Sequence, residues 1–122
     1  MAWFLYGYIN TMGTLAIFPW YGGAREFSDG FGAVKSIKNK KWGFIDSNGT
    51  YIIEPKYDDA TLFLEELAAV KLANQWGYVN MAGEFMIDPQ FPQAGRYSQG
   101  LAPVIIKGKW GYISNPKAEP RS

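Results

Sequence analysis

Apolar and polar positions in this chain recur in one short order: a large aromatic residue, Gly, a second aromatic, a β-branched residue and a small polar one. The order reads Trp42-Gly43-Phe44-Ile45-Asp46 and Trp76-Gly77-Tyr78-Val79-Asn80. It begins again at Trp110-Gly111-Tyr112-Ile113-Ser114 and stands in altered form at Tyr6-Gly7-Tyr8-Ile9-Asn10. Aromatic and β-branched residues closed by a polar one predict a short strand. Thr11-Met12-Gly13, Ser47-Asn48-Gly49 and Met81-Ala82-Gly83 come next. Such a three-residue connection predicts a hairpin loop with its Gly in the left-handed region. The next strand is expected at Leu15–Phe18, Tyr51–Glu54 and Phe85–Asp88. Pro19, Pro55 and Pro89 are expected to end the pairing there, since Pro has no N–H to donate to a ladder. A third strand is expected near Phe31–Ile37, Leu67–Leu72 and Leu101–Ile106, with a tight turn such as Lys107-Gly108-Lys109 leading to the next Trp-Gly strand.

Each unit is thus an antiparallel meander, and its recurrence is regular. The Trp-Gly pairs at 42, 76 and 110 stand 34 residues apart in both intervals, and Tyr6 lies 36 residues before Trp42. Self-similarity at this period is the mark of a repeat architecture, in which no unit buries its hydrophobic face alone. The expected fold is all-β: tandem 34-residue β-hairpin or meander repeats in a solenoid-like twisted array, with a closed barrel or propeller-like arrangement as the alternative. One domain over residues 1–122 is expected, with units at about 6–41, 42–75 and 76–109 and a partial one at 110–115. The repeated Tyr6, Trp42, Trp76 and Trp110, with Gly7, Gly43, Gly77 and Gly111, are read as structural. A bare Cα inside a strand marks close approach of another group, here a ring or a neighbouring backbone.

Composition narrows the chemistry. The chain has 122 residues, 17% of them aromatic, so rings can supply much of a modest core. It has no Cys and no His, which removes thiol chemistry, thiolate metal sites and the commonest general base together. A formal net charge of +1 gives no electrostatic argument for nucleic acid or an anionic membrane. No charged side chain precedes Arg25, yet residues 1–24 do not read as a signal peptide or a membrane span. The basic n-region is missing, and Asn10, Thr11, Gly13, Thr14 and Pro19 interrupt the apolar run. The expectation is a cytoplasmic protein without a membrane partner.

The segments Lys41-Trp42-Gly43-Phe44-Ile45-Asp46, Gly49, Ile52-Ile53 and Pro55-Lys56-Tyr57-Asp58 resemble the consensus of bacterial WG repeats, also called KWG repeats. Gln75-Trp76-Gly77-Tyr78-Val79-Asn80 with Gly83 and Pro89, and Lys109-Trp110-Gly111-Tyr112-Ile113, are similar. Ser98-Gln99-Gly100-Leu101-Ala102-Pro103-Val104 resembles the segment that precedes the Trp-Gly strand in that family. The resemblance spans about residues 6–113. It implies an all-β scaffold with an interaction role, and no catalytic residues or cofactor to carry over.

Departures from the pattern supply the candidate sites. In the first unit Phe18 and Trp20 stand where later units have Glu54 or Asp88 and Lys56 or Gln90, and Trp3 and Phe4 precede it. Rings at positions that are polar elsewhere mark Trp3, Phe4, Phe18 and Trp20 as an interaction surface, for a protein partner or for self-association. Lys35, Lys38, Lys40 and Lys41 form a basic cluster beside Trp42. Single-stranded nucleic acid could use such a cluster; a solvated hairpin tip that discourages edge pairing is the plainer reading. The carboxylate pairs Asp58-Asp59, Glu65-Glu66 and Glu54 with Asp88 have no spacing that points to glycoside hydrolysis, and the first fits a turn after Pro. The expected function is therefore a non-catalytic protein–protein interaction module, a small adaptor or subunit. Glycan or cell-wall binding through the repeat aromatics is the alternative, and nucleic acid the second one.

Overall fold

The computed structural model describes the backbone of residues 6–9 and 15–116 and the side chains of residues 21–116. Eleven strands fill it: β1 (Tyr6–Ile9), β2 (Leu15–Ser28), β3 (Phe31–Ser36), β4 (Trp42–Ile45), β5 (Tyr51–Tyr57), β6 (Asp59–Ala60), β7 (Ala68–Leu72), β8 (Gln75–Val79), β9 (Phe85–Phe91), β10 (Leu101–Ile106) and β11 (Lys109–Ser114). All pairings between them are antiparallel and join neighbours in sequence. They form three open sheets, β1 to β5, β6 to β9, and β10 with β11. The chain is all-β and made of tandem hairpin units, and no sheet among the described residues closes into a barrel. No helix there is long and apolar enough to cross a membrane.

The hairpin loops form as their chemistry requires. Gly49 and Gly83 have φ of 83° and 85°. The polar residue that closes β4 and β8 organises the loop that follows. Asp46 Oδ1 accepts from the amides of Asn48 and Thr50, and Asn80 Oδ1 accepts from those of Ala82 and Glu84.

Proline does not end the second strand. β5 runs through Pro55 to Tyr57, and β9 runs through Pro89 to Phe91. β2 runs from Leu15 through Pro19 to Ser28. The register explains why. Trp42 pairs with Tyr57 and Phe44 with Ile53, so several residues of β5 oppose Gly43 alone. The strand bends over that glycine, and Pro lies in the bend, where no ladder hydrogen bond is asked of it. A Cβ at Gly43 would stand 2.6 Å from the Ile53 carbonyl oxygen and 2.8 Å from the Pro55 nitrogen. At Gly77 the corresponding distances are 2.6 Å to the Ile87 oxygen and 2.7 Å to the Pro89 nitrogen. The close approach expected of the Trp-Gly glycine is thus made by the neighbouring backbone.

Alternation along each strand then places a core on both faces of the inner sheets. Ala33, Trp42, Phe44, Ile53 and Tyr57 meet Ala60, Phe63, Ala68, Val70 and Val79 in one cluster. Leu67, Ala69, Trp76, Tyr78 and Phe91 meet Tyr97, Ala102 and Val104 in the next. Tyr21, Val34 and Ile45 form a third, on the other face of β3 and β4. β4 and β8 therefore turn their Trp and second aromatic toward the next unit in the chain.

Candidate functional site

The last unit has the same strands but not the same cover. β10 and β11 pair with Leu101 opposite Ser114, Pro103 opposite Tyr112 and Ile105 opposite Trp110. One face of this hairpin carries Ala102, Val104 and Ile113 into the core beneath. The other carries Leu101, Pro103, Ile105, Trp110 and Tyr112. These are the positions that in the preceding unit hold Leu67, Ala69, Lys71, Trp76 and Tyr78. Trp42 and Trp76 are each 8% exposed, whereas Trp110 is 63% exposed and Tyr112 71%. A Cβ at Gly111 would meet nothing within 4 Å. The repeat pattern casts Trp110 as structural in the manner of Trp42 and Trp76. Its ring is instead open, because no strand crosses Gly111 and no unit packs on this face among the described residues.

The Asn115 amide N–H donates to the Gly100 carbonyl at 2.9 Å. Its side-chain amide, 3% exposed as a residue, donates to the Glu65 carbonyl and carboxylate at 3.3 Å. Tyr97 ties down the same corner by donating to the Ser114 carbonyl at 2.8 Å, and burial pushes its hydroxyl up to about 12.

Of the carboxylates paired in sequence, Asp58, Asp59 and Glu65 are held in structural bonds. Asp58 accepts from Lys41 Nζ and from the Ala73 amide, and the Lys41 contact holds its carboxyl below the usual range. Asp59 pairs with Arg25 at 2.9 Å, and the Arg25 guanidinium lies 4.5 Å over the Trp42 ring. Glu65 accepts from the Gly100 amide at 3.0 and 3.1 Å. One unit earlier Asp29 accepts from the Glu66 amide at 3.0 Å. Asp29, Glu65 and Gln99 share φ values of 54–55° in equivalent turns, so the first two carboxylates link each turn to the next.

The basic cluster is divided. Lys41 is bound to Asp58, and Lys35 lies within β3. Lys38 borders a shallow groove of about 670 Å³ with Tyr21, Ile37, Tyr51 and Pro55, but Glu54 lines the same groove. The four lysines do not converge there. Trp3 and Phe4 lie outside the described residues. Phe18 and Trp20 are placed only as backbone of β2, so the surface expected of their rings lies outside the described side chains. The exposed aromatic face at the other end is not among the sequence expectations. Its signal is that Pro116 and Lys117 stand where the earlier units have Asn48 or Ala82 and Gly49 or Gly83.

A family model described as "WG containing repeat" matches residues 6–42, 42–76 and 76–110. Neither the curated proteins nor the solved structures contain a match to the chain.

Proposed function

Because the chain belongs to the WG-repeat family, we propose that it is a non-catalytic module that binds another protein, through the open face of β10 and β11. The observation that supports this is the pair Trp110 and Tyr112, exposed side by side on one face where the equivalent residues of earlier units are buried. Trp and Tyr are enriched among residues that dominate binding energy. Leu101, Pro103 and Ile105 extend the same face, giving it the apolar centre that interfaces favour. Asp58 and Asp59 are engaged in ion pairs, and Glu65 in a turn-to-turn hydrogen bond.

The test uses the full chain and a Trp110→Ala/Tyr112→Ala variant, immobilised in parallel. A protein retained from native lysate is identified, purified and titrated against both. Binding to the wild type that weakens at least tenfold in the variant supports the proposal. Retention of a polysaccharide from a glycan panel, with no protein retained, would replace it by glycan recognition. Retention of single-stranded DNA that falls steeply with salt and depends on Lys38 and Lys40 would replace it by nucleic-acid binding.

A further inference from the structure

Three of the four Trp-Gly-type strands carry a covering strand in one register. Tyr6 pairs with Tyr21, Tyr8 with Ile17 and Ile9 with Leu15. Trp42 pairs with Tyr57, Phe44 with Ile53 and Ile45 with Tyr51. Trp76 pairs with Phe91, Tyr78 with Ile87 and Val79 with Phe85. The covering strands are Leu15-x-Ile17-x-Pro19-x-Tyr21, Tyr51-x-Ile53-x-Pro55-x-Tyr57 and Phe85-x-Ile87-x-Pro89-x-Phe91. Among the described residues the fourth Trp-Gly strand, β11, pairs with β10 on one side only. At the spacing of those covering strands, Glu119 and Arg121 stand where the others have their first apolar residue and their Ile.

We infer that the open edge of β11 takes an added antiparallel strand from another polypeptide, with the pattern apolar-x-Ile-x-Pro-x-aromatic. The inference rests on the protein-binding proposal and names the class of segment bound. The incoming aromatic lies opposite Trp110, its Ile opposite Tyr112, and its bend at Pro crosses Gly111. Main-chain hydrogen bonds along the edge supply affinity, and the alternating side chains supply selectivity. Gly111 acts as the selector. Its Cα is open now, yet the same position in the two inner units has strand backbone 2.6 Å from where a Cβ would be. A Cβ at 111 thus costs the isolated chain nothing and obstructs the incoming strand.

The probe is a synthetic peptide with the sequence of residues 50–58, Thr-Tyr-Ile-Ile-Glu-Pro-Lys-Tyr-Asp, titrated into the isotope-labelled full chain and followed by NMR. Saturable shifts at residues 109–114 and the Trp110 indole N–H are expected. Gly111→Ala is expected to keep the thermal midpoint and weaken the peptide at least tenfold, as is Ile53→Asp within the peptide. Absence of shifts at millimolar peptide overturns the inference, and so does equal binding by Gly111→Ala. Concentration-dependent dimerisation of the wild type through β11, lost in Gly111→Ala, overturns it in favour of a second copy as occupant. A natural partner lost by Trp110→Ala/Tyr112→Ala but kept by Gly111→Ala leaves the protein-binding proposal intact and sinks strand addition alone.

Discussion

Equivalent residues in successive units serve as internal mutants of one another. Tyr57 is fully buried and its hydroxyl has no hydrogen-bond partner among the described residues, while the same position one unit later is Phe91. A buried unpaired hydroxyl carries its desolvation cost with no return. Tyr57→Phe is therefore expected to raise stability, by up to about 1 kcal/mol. Tyr78 presents the opposite case. It donates to the Gly95 carbonyl at 2.6 Å, burial pushes its ionisation up, and Tyr78→Phe is expected to lower stability by about 1–2 kcal/mol. Urea unfolding of the two variants checks both signs, and a destabilised Tyr57→Phe would mean that its hydroxyl has a partner after all. The glycines give a second contrast. Gly43→Ala and Gly77→Ala press a Cβ against rigid strand backbone, and each is expected to cost about 3 kcal/mol. Gly111→Ala is expected to stay within about 0.5 kcal/mol of wild type. Thermal unfolding of all three separates a glycine kept for strand crossing from one kept only by repetition.

Among elements, the features legible in the sequence are those set by local chemistry. Hairpin loops at Gly49 and Gly83, the third strands and the period itself arise from residue type and spacing. The strand bend is not legible, because Pro55 read alone is a strand terminator. Only the glycine it crosses, distant in sequence, makes it a bend inside β5. The open aromatic face escapes the sequence for a related reason. Alignment makes Trp110 look like Trp42, whereas burial depends on the unit packed over the ring. Long-range ties such as Lys41 to Asp58 are equally invisible, since a charge run shows no partner. That tie has a pH signature. Asp58 titrates below its ordinary 3.8 when folded, chiefly through the Lys41 hydrogen bond. Its contribution is complete above pH 3.8 and is lost as pH falls through the lowered folded value. Solvent screens an ion pair this exposed, so Asp58→Asn is expected to cost under about 1 kcal/mol at about pH 7. The gap to wild type should close by about pH 2, and denaturant unfolding at the two pH values checks it. A gap that widens in acid would reverse the assignment.

Across the whole molecule, stability passes from unit to unit through the faces they share, as in other linear repeat arrays. Trp42 and Trp76 point at the next unit and are buried by it, whereas Trp110 points at open space. The same residue at the same repeat position should therefore differ in weight according to whether a neighbour covers it. Trp76→Ala removes a ring from the cluster holding Leu67, Tyr78, Phe91, Tyr97 and Val104, and is expected to cost about 3–5 kcal/mol. Trp110→Ala removes a ring that is mostly in water and is expected to cost under about 1 kcal/mol. Calorimetry of the two variants at equal protein concentration measures the ratio. The strand-forming peptide should alter the second value in a defined way. Binding that depends on Trp110 is linked to folding, so saturating peptide should raise the wild-type midpoint and leave that of Trp110→Ala nearly where it was. A large loss for Trp110→Ala in the free chain would show that the ring already has a cover.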